Sequence, residues 1–264
     1  MQIERITLQL GLEQPVHIAH LTDVHLSLAD ERDPHLIKHA AQRASVFDEE
    51  AGGPPSTPAE YLAEALAYAK EHCSLAVITG DLIDFVSHAT LDTAADLLRG
   101  QNYMLTAGNH EFCPKVGIPD SHARKYDTWA EIQKPFCGSM YFESRVVGGV
   151  NLITMDNGYY NYSAPQIVAL EREIKRGLPI LLFSHVPLSD GMIRLEAQHK
   201  DLAPDEYMKE QNRRMLALIE STDLIKAEFA GHWHFAVKRT LPSGIPEFVT
   251  PGLFKGAFTH IELV

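Results

Sequence analysis

The sequence is short of positive charge. Its 23 lysines and arginines are outnumbered by 35 aspartates and glutamates, which gives a formal net charge of −12 at pH 7. A chain this acidic is a poor candidate for general binding to nucleic acid or to anionic membranes, because phosphate groups attract basic surfaces. A small phosphate ligand stays compatible with this charge, since bound metal cations would reverse the field inside a pocket.

Cysteine and long apolar runs are also scarce. Cys73, Cys113 and Cys137 form an odd set without metal-type spacing, which predicts free thiols in a reducing compartment. No apolar run approaches about 18 residues, so no membrane span is expected. Residues 1–5 lack the basic and then apolar layout of a secretory signal. Together these absences predict a cytoplasmic protein without membrane partners.

The chain contains no repeat, no low-complexity tract and no linker long enough to divide it. Its 264 residues are 45% hydrophobic and 22% charged, as is usual for a soluble α/β protein with a sizeable core. We therefore expect a single domain over residues 1–264.

Short apolar runs alternate with helical patterns along the chain. Residues 178–183 are continuously apolar, which predicts a strand in a sheet covered on both faces. Thr57, followed by Pro58 and then by Glu60, predicts a capping box at a helix start. Ser163 and Gln166 predict a second capped start. Buried strands are also expected at 16–22, 74–79, 103–106 and 227–230.

Five predicted strands end in residues that can bind a metal ion. The set comprises two carboxylates, one amide and four imidazoles: Asp23 and His25, Asp81, Asn109, His185, and His232 with His234. Ligands collect beyond the carboxyl ends of strands in α/β sheets. Because residues i and i+2 of an extended backbone point the same way, both members of each close pair are expected to face one pocket. A histidine-rich surface turn or a solvated strand end is the alternative for each piece taken alone.

Seven such groups are too many for one tetrahedral zinc site. They suit two ions about 3.5–4 Å apart, the arrangement used for in-line displacement at phosphorus. A carboxylate must then bridge the ions, and Asp81 is the natural choice. Oxygen and nitrogen ligands without a thiolate favour Mn²⁺, Fe²⁺ or Fe³⁺, or Zn²⁺.

These motifs resemble those of the calcineurin-like metallophosphoesterases. The pieces that carry the resemblance are Asp23-x-His25, Gly80-Asp81-x-x-Asp84, Gly108-Asn109-His110-Glu111, His185 and Gly231-His232-x-His234, in the family's order. The resemblance implies an α/β fold, a four-layer α/β/β/α sandwich of two mixed sheets flanked by helices. It also implies two metal ions, the first held by Asp23, His25, Asp81 and His234, and the second by Asp81, Asn109, His185 and His232.

Three more residues receive a role from the resemblance. His110 is implied to face the substrate, where it can donate to a phosphoryl oxygen or to the leaving group. Asp84 is implied to hydrogen-bond to a ligand rather than to bind metal. For Glu111 two roles stay open, orienting His110 or holding the structure together.

The chain departs from the family's pattern between the first two motifs, where 55 residues separate His25 from Asp81. The excess falls on residues 28–57, which we expect to form an insertion near the active site that acts as a lid and shapes substrate choice. Within it, residues 29–50 are a candidate helix. His35 and His39 would share one face of that helix and could reach the site, although a solvated face is the commoner reason for such a pair.

The resemblance implies a metal-dependent phosphoesterase that hydrolyses a phosphate mono- or diester by in-line attack of a metal-bridging hydroxide. One alternative is a phosphodiesterase for cyclic nucleotides or other small diesters, since the motifs are shared by all these enzymes. Another is a non-catalytic scaffold of the same fold, which the presence of all seven ligands and of His110 argues against. A small-molecule phosphoester is the expected partner. The absence of a Gly-x-Ser-x-Gly elbow argues against a serine hydrolase.

Overall fold

Two mixed β-sheets make up the centre of the molecule. The computed structural model describes residues 1–52, 57–188 and 202–264. The first sheet has five strands, β1 (Gln2–Leu8), β2 (Val16–Leu21), β3 (Leu75–Thr79), β4 (Tyr103–Thr106) and β11 (Ala257–Leu263), in the order β1-β11-β2-β3-β4. β2, β3 and β4 run parallel, and β11 is antiparallel to β2.

The second sheet has six strands. They are β5 (Phe142–Val147), β6 (Val150–Met155), β7 (Ile180–Phe183), β8 (Ile225–Ala230), β9 (Val237–Thr240) and β10 (Pro246–Val249), in the order β5-β6-β7-β8-β10-β9. β6, β7, β8 and β10 run parallel, and the edge strands β5 and β9 are antiparallel to their neighbours.

The parallel strands are joined by helices. In the described residues these are α1 (Ile37–Ala51), α2 (Pro58–His72), α3 (His88–Leu98), α4 (His122–Gln133), α5 (Ala164–Ile174) and α6 (Glu206–Glu220), with a short 3₁₀ helix at Leu253–Lys255. α2 and α3 lead into β3 and β4, and α5 and α6 lead into β7 and β8. No helix in the described ranges combines the length and the apolar character needed to cross a bilayer.

Side chains along the central strands alternate between two cores. In β3, Leu75 and Val77 pack between the two sheets, whereas Ala76 and Ile78 pack under the helices of the first sheet. In β7, Leu181 and Phe183 enter the same inter-sheet core, and Ile180 and Leu182 face α5 and α6. Because both faces of each sheet are covered, the predicted four-layer α/β/β/α sandwich is confirmed.

The two predicted capping boxes have different outcomes. Ser163 and Gln166 form theirs at the start of α5. α2 begins at Pro58 as expected, but the Thr57 side chain makes no cap hydrogen bond, so that prediction is wrong. The reason is the backbone, because ψ is 68° at Thr57 and 157° at Ser163, and an extended residue is what turns a cap side chain towards the helix.

Candidate metal centre

All seven predicted ligand residues lie just past the ends of β2, β3, β4, β7 and β8, and the fold brings these ends together. Three groups of side chains have potential ligand atoms within 4.8 Å of one another: Asp23, His25 and His234; His25, Asp81 and His110; and Asp81, His185 and His232. The Asn109 Oδ1 atom lies 3.1 Å from His185 Nε2. His25 and Asp81 each belong to two of these groups, so the set forms one continuous cluster.

The backbone of the cluster is strained. Five of the seven predicted ligand residues have a positive φ, namely Asp23 (51°), His25 (54°), Asp81 (50°), His232 (71°) and His234 (60°). Tyr160 is the other non-glycine residue of this kind in the described chain. A left-handed conformation costs a non-glycine residue about 1–3 kcal/mol and persists where the surroundings impose it, commonly at functional sites. The expectation of an extended backbone at the two close pairs is therefore wrong, although both members of each pair do face the cluster.

Outer hydrogen bonds orient three of the imidazoles. The Nδ1 atom of His185 donates to the Thr79 carbonyl oxygen at 2.7 Å. The Nδ1 atoms of His25 and His234 lie 3.2 Å from carboxylate oxygens of Asp84 and Glu50 respectively. Because these oxygens only accept, each Nδ1 carries a hydrogen and each Nε2 turns inward. An acceptor behind a histidine in this way is the usual arrangement around a protein metal ion.

The inward atoms approach one another at the spacing of a coordination shell. His25 Nε2 lies 3.2 Å from His234 Nε2, and His185 Nε2 lies 3.2 Å from His232 Nδ1. Two neutral imidazole nitrogens cannot face each other at this distance unless a proton or a cation lies between them. Ligand atoms about 2.1 Å from a shared ion are about 3.0–3.4 Å apart, so the donor set fits metal ions.

Asp81 lies between the two halves of the cluster. Its Oδ2 atom is 3.6 Å from His25 Nε2 and 3.2 Å from His185 Nε2. Burial opposes ionisation of this carboxyl, but the neighbouring histidines, His185 first, hold its pKa well below the usual value. Asp81 is thus an anion shared by both halves.

Protons occupy both halves when no cation is bound. Although burial favours the neutral imidazole, Asp81 raises the pKa of His185 to about 9, and a hydrogen bond to Asp23 raises that of His234 to about 9. Burial together with the charge of His185 lowers the pKa of His232 to about 3. Each half therefore holds one imidazolium beside a neutral imidazole, and a metal ion would have to replace that proton.

His110 is oriented by the backbone of the preceding motif. Its backbone N–H donates to the Asp81 side-chain atom Oδ1 at 2.9 Å, and its ring atom Nδ1 donates to the Asp84 carbonyl oxygen at 2.7 Å. The side chain is 18% exposed. Burial opposes the charge, yet Asp81 and Asp84 raise the pKa of His110 to about 10. In the metal-free protein these charges favour the protonated form of His110, which lies at the rim of the cluster.

Glu111 ties two loops together. Its carboxylate accepts hydrogen bonds from the backbone N–H groups of Asp81 (3.0 Å), Leu82 (2.7 Å) and Gly108 (2.5 Å). Of the two roles left open for Glu111, these contacts favour the structural one, and it is Asp84 that orients His110. Gly108 is tightly packed here, because a Cβ atom on it would overlap the Asp81 carboxylate.

Helix α1 of the expected insertion contributes side chains that the sequence did not single out. Arg43 donates to Asp84 through Nε at 2.6 Å and through Nη2 at 2.9 Å. The Phe47 ring stacks on His25 with a centroid distance of 4.7 Å, and Glu50 accepts from His234. The spacing i, i+4 and i+7 puts these three residues on one helix face, which is the signal that could have found them.

The two histidines of this insertion, His35 and His39, are not part of the cluster. α1 begins at Ile37, so His35 precedes the helix and is exposed. His39 packs against Phe85 with ring centroids 5.1 Å apart, and neither histidine belongs to the three groups of potential ligands. Residues 53–56 of the insertion lie outside the described residues.

Asn157, which the sequence also did not single out, accepts a hydrogen bond from the backbone N–H of His185 at 3.1 Å.

Residues 16–236 match the family model described as calcineurin-like phosphoesterase. The chain is similar in structure to a dimetal phosphatase from Danio rerio, with a TM-score of 0.57, 14% identity, and coverage of 91% of this chain and 88% of that chain. It is also similar to a 5'-nucleotidase from Candida albicans, with a TM-score of 0.44, 13% identity, and coverage of 90% and 45% respectively. The first of these similarities supports the fold. No curated protein matches the chain.

Proposed function

We propose that this chain, which belongs to the calcineurin-like phosphoesterase family, hydrolyses a small phosphate mono- or diester with two bound metal ions. The observation that carries the proposal is the pair of inward nitrogens on His25 and His234, 3.2 Å apart, each with an acceptor fixed behind it. The same arrangement recurs at His185. A solvated cluster of histidines would have no reason to hold its rings in this way.

The ligands divide naturally between two ions. Asp23, His25, Asp81 and His234 would hold the first, and Asp81, Asn109, His185 and His232 would hold the second. Asp81 serves both because its Oδ2 atom lies near a histidine of each half. Since the donors are nitrogen and oxygen atoms, Mn²⁺, Fe²⁺ or Fe³⁺, and Zn²⁺ are the ions expected.

When bound, two such cations lower the pKa of a shared water towards about 7 and offset charge on the phosphoryl oxygens. The chain supplies the acid. His110 is anchored through Nδ1, so its Nε2 atom is the one free to donate to a phosphoryl oxygen or to the leaving group. Such proton donation is typically worth about 10²–10⁴-fold in rate. No covalent intermediate on the chain is needed.

Turnover of model phosphoesters by metal-reconstituted protein tests the proposal. The protein is stripped with a chelator, reloaded with Mn²⁺, Fe²⁺ or Zn²⁺, and assayed with p-nitrophenyl phosphate and bis-p-nitrophenyl phosphate. We expect activity that follows metal content. The ratio of the two rates separates a monoesterase from a phosphodiesterase. A protein that binds two ions yet turns over no phosphoester would instead be a scaffold.

A further inference from the structure

Helix α1 packs directly against the candidate metal centre. Phe47, which is 2% exposed, packs between His25 and Phe254, with ring centroids 4.7 and 4.8 Å away. Near the start of the helix, Leu36 and Ala40 pack with Phe85 in a small core of their own. The insertion is thus anchored at two points and places its polar side chains at defined positions.

One of those side chains reaches a buried carboxylate. Arg43 meets both oxygens of Asp84, through Nε to Oδ2 at 2.6 Å and through Nη2 to Oδ1 at 2.9 Å. The Asp84 side chain is fully buried, whereas that of Arg43 is 18% exposed. A guanidinium that binds both oxygens fixes the rotation of a carboxylate as well as its place.

The fixed Asp84 carboxylate in turn contacts two histidines of the candidate site. Its Oδ1 atom lies 3.2 Å from the Nδ1 atom of His25 and 3.2 Å from the Nδ1 atom of His110. The terminal torsion of an aspartate is broad, so the carboxylate would turn more freely without a partner on Oδ2. The His25 imidazole would then lose its fixed acceptor. The Nδ1 hydrogen of His110, which also donates to the Asp84 carbonyl oxygen at 2.7 Å, would lose the second of its two acceptors.

We propose that Arg43 is a positioning residue for phosphoester hydrolysis, because its guanidinium locks the Asp84 carboxylate. That carboxylate orients His25 and, together with the Asp84 carbonyl oxygen, His110. This inference rests on the proposed function. It makes the insertion helix an integral part of the active site. Arg43 acts through Asp84 and does not touch the substrate.

Steady-state kinetics of Arg43→Ala, with Lys38→Ala as the matched control, test this role. Lys38 is an exposed cation on the same helix, so its removal changes the charge of α1 but not the carboxylate. We expect Arg43→Ala to lower kcat by about 10–100-fold, since a misplacement of about 1 Å can cost about 10²-fold. KM should stay within about twofold, because uniform binding is unchanged. Guanidinium ion at non-denaturing concentration should restore part of the rate, and Lys38→Ala should match the wild type.

A double-mutant cycle separates positioning from direct substrate contact. In an Asp84→Ala background, Arg43→Ala should have no further effect, because the carboxylate through which it acts is gone. An undiminished effect in that background would overturn the inference. So would a rise in KM with kcat unchanged, which would place the guanidinium on the substrate. Arg43→Lys covers the case in which the alanine variant does not fold, and it should be only partly active because a lysine cannot bind both oxygens.

A measurement on metal-free protein keeps this inference separate from the proposed function. In histidine-labelled protein, the hydrogen on His110 Nδ1 should exchange with water faster in Arg43→Ala than in the wild type or in Lys38→Ala, as followed by nitrogen-15 NMR. Equal exchange in all three would overturn the positioning role. If the wild type hydrolyses no phosphoester with any metal, the proposed function fails, and this exchange rate still decides whether Arg43 holds His110.

Discussion

Metal uptake by this protein should release protons. At pH 7 the metal-free chain holds one proton on His185 and one on His234, because the pKa of each is raised from 6.5 to about 9. Both histidines would bind metal through Nε2, the atom that these protons occupy. Loading the two ions at pH 7 should therefore release about two protons per chain, since metal ligands must be deprotonated.

The pH dependence of metal affinity follows from the difference between the pH and the pKa of the histidine that must lose its proton. Removing a proton at pH 7 from a group with a pKa of about 9 costs roughly 3 kcal/mol. For His185 alone, metal affinity should thus rise about 50-fold between pH 7 and pH 9, where half of the group is still protonated. The free energy of unfolding of the metal-free protein should instead fall as the pH rises. A raised pKa stabilises the fold fully below pH 6.5, and this contribution is lost as the pH rises through about 9.

Isothermal titration calorimetry in buffers of different ionisation enthalpy measures the released protons directly. Thermal denaturation of metal-free protein between pH 6.5 and pH 9 checks the second effect, and its midpoint should fall over that range. Asp30→Ala is the control. Asp30 forms an ion pair with Arg32 that lowers its pKa, so it does not titrate between pH 6.5 and pH 9. Its removal should change neither the number of protons released nor the pH dependence of the midpoint. Metal binding with fewer than about 0.5 protons released would mean that His185 and His234 are not ligands through Nε2.

Three further substitutions probe separate parts of the centre. Asp81→Ala removes the anion shared by both halves and should abolish binding of both ions; a fully loaded variant in elemental analysis would contradict the bridging role. His110→Ala should keep its metal and lose about 10²–10⁴-fold in kcat, whereas His35→Ala, which removes an exposed histidine, should be fully active. Gly108→Ala forces a Cβ atom against the Asp81 carboxylate and should lower stability by about 1–3 kcal/mol in chemical denaturation, with reduced metal content; an unchanged unfolding midpoint would show that the loop yields without strain.

The left-handed backbone at five of the predicted ligand residues implies that the candidate centre is held under strain. Five residues at about 1–3 kcal/mol each represent roughly 5–15 kcal/mol of local backbone energy. At one of the five, Asp81, the carboxylate of Glu111 and the close approach of Gly108 are contacts that hold the conformation.

Much of this arrangement followed from local sequence. Asp81 comes directly after an apolar strand, as do Asn109 and His185, and parallel strands joined by helices bring their carboxyl ends to one edge. The alternation of side chains along a strand predicts that residues i and i+2 share a core, although a continuously apolar strand such as β7 does not indicate which core each enters. The identity and order of the predicted ligand residues could therefore be stated from the chain alone.

The α/β alternation and the residues gathered at the strand ends could be predicted from the sequence, because strand patterning, turns and ligand chemistry are local properties. How those residues are held depends on the packing of the whole fold. The contact of Arg43 with Asp84 spans 41 positions in the chain, and that of Glu50 with His234 spans 184. Such contacts depend on how whole helices and sheets pack, as do the left-handed turns at Asp23 and His232. No short stretch of sequence encodes that packing, since it is a property of the complete set of contacts.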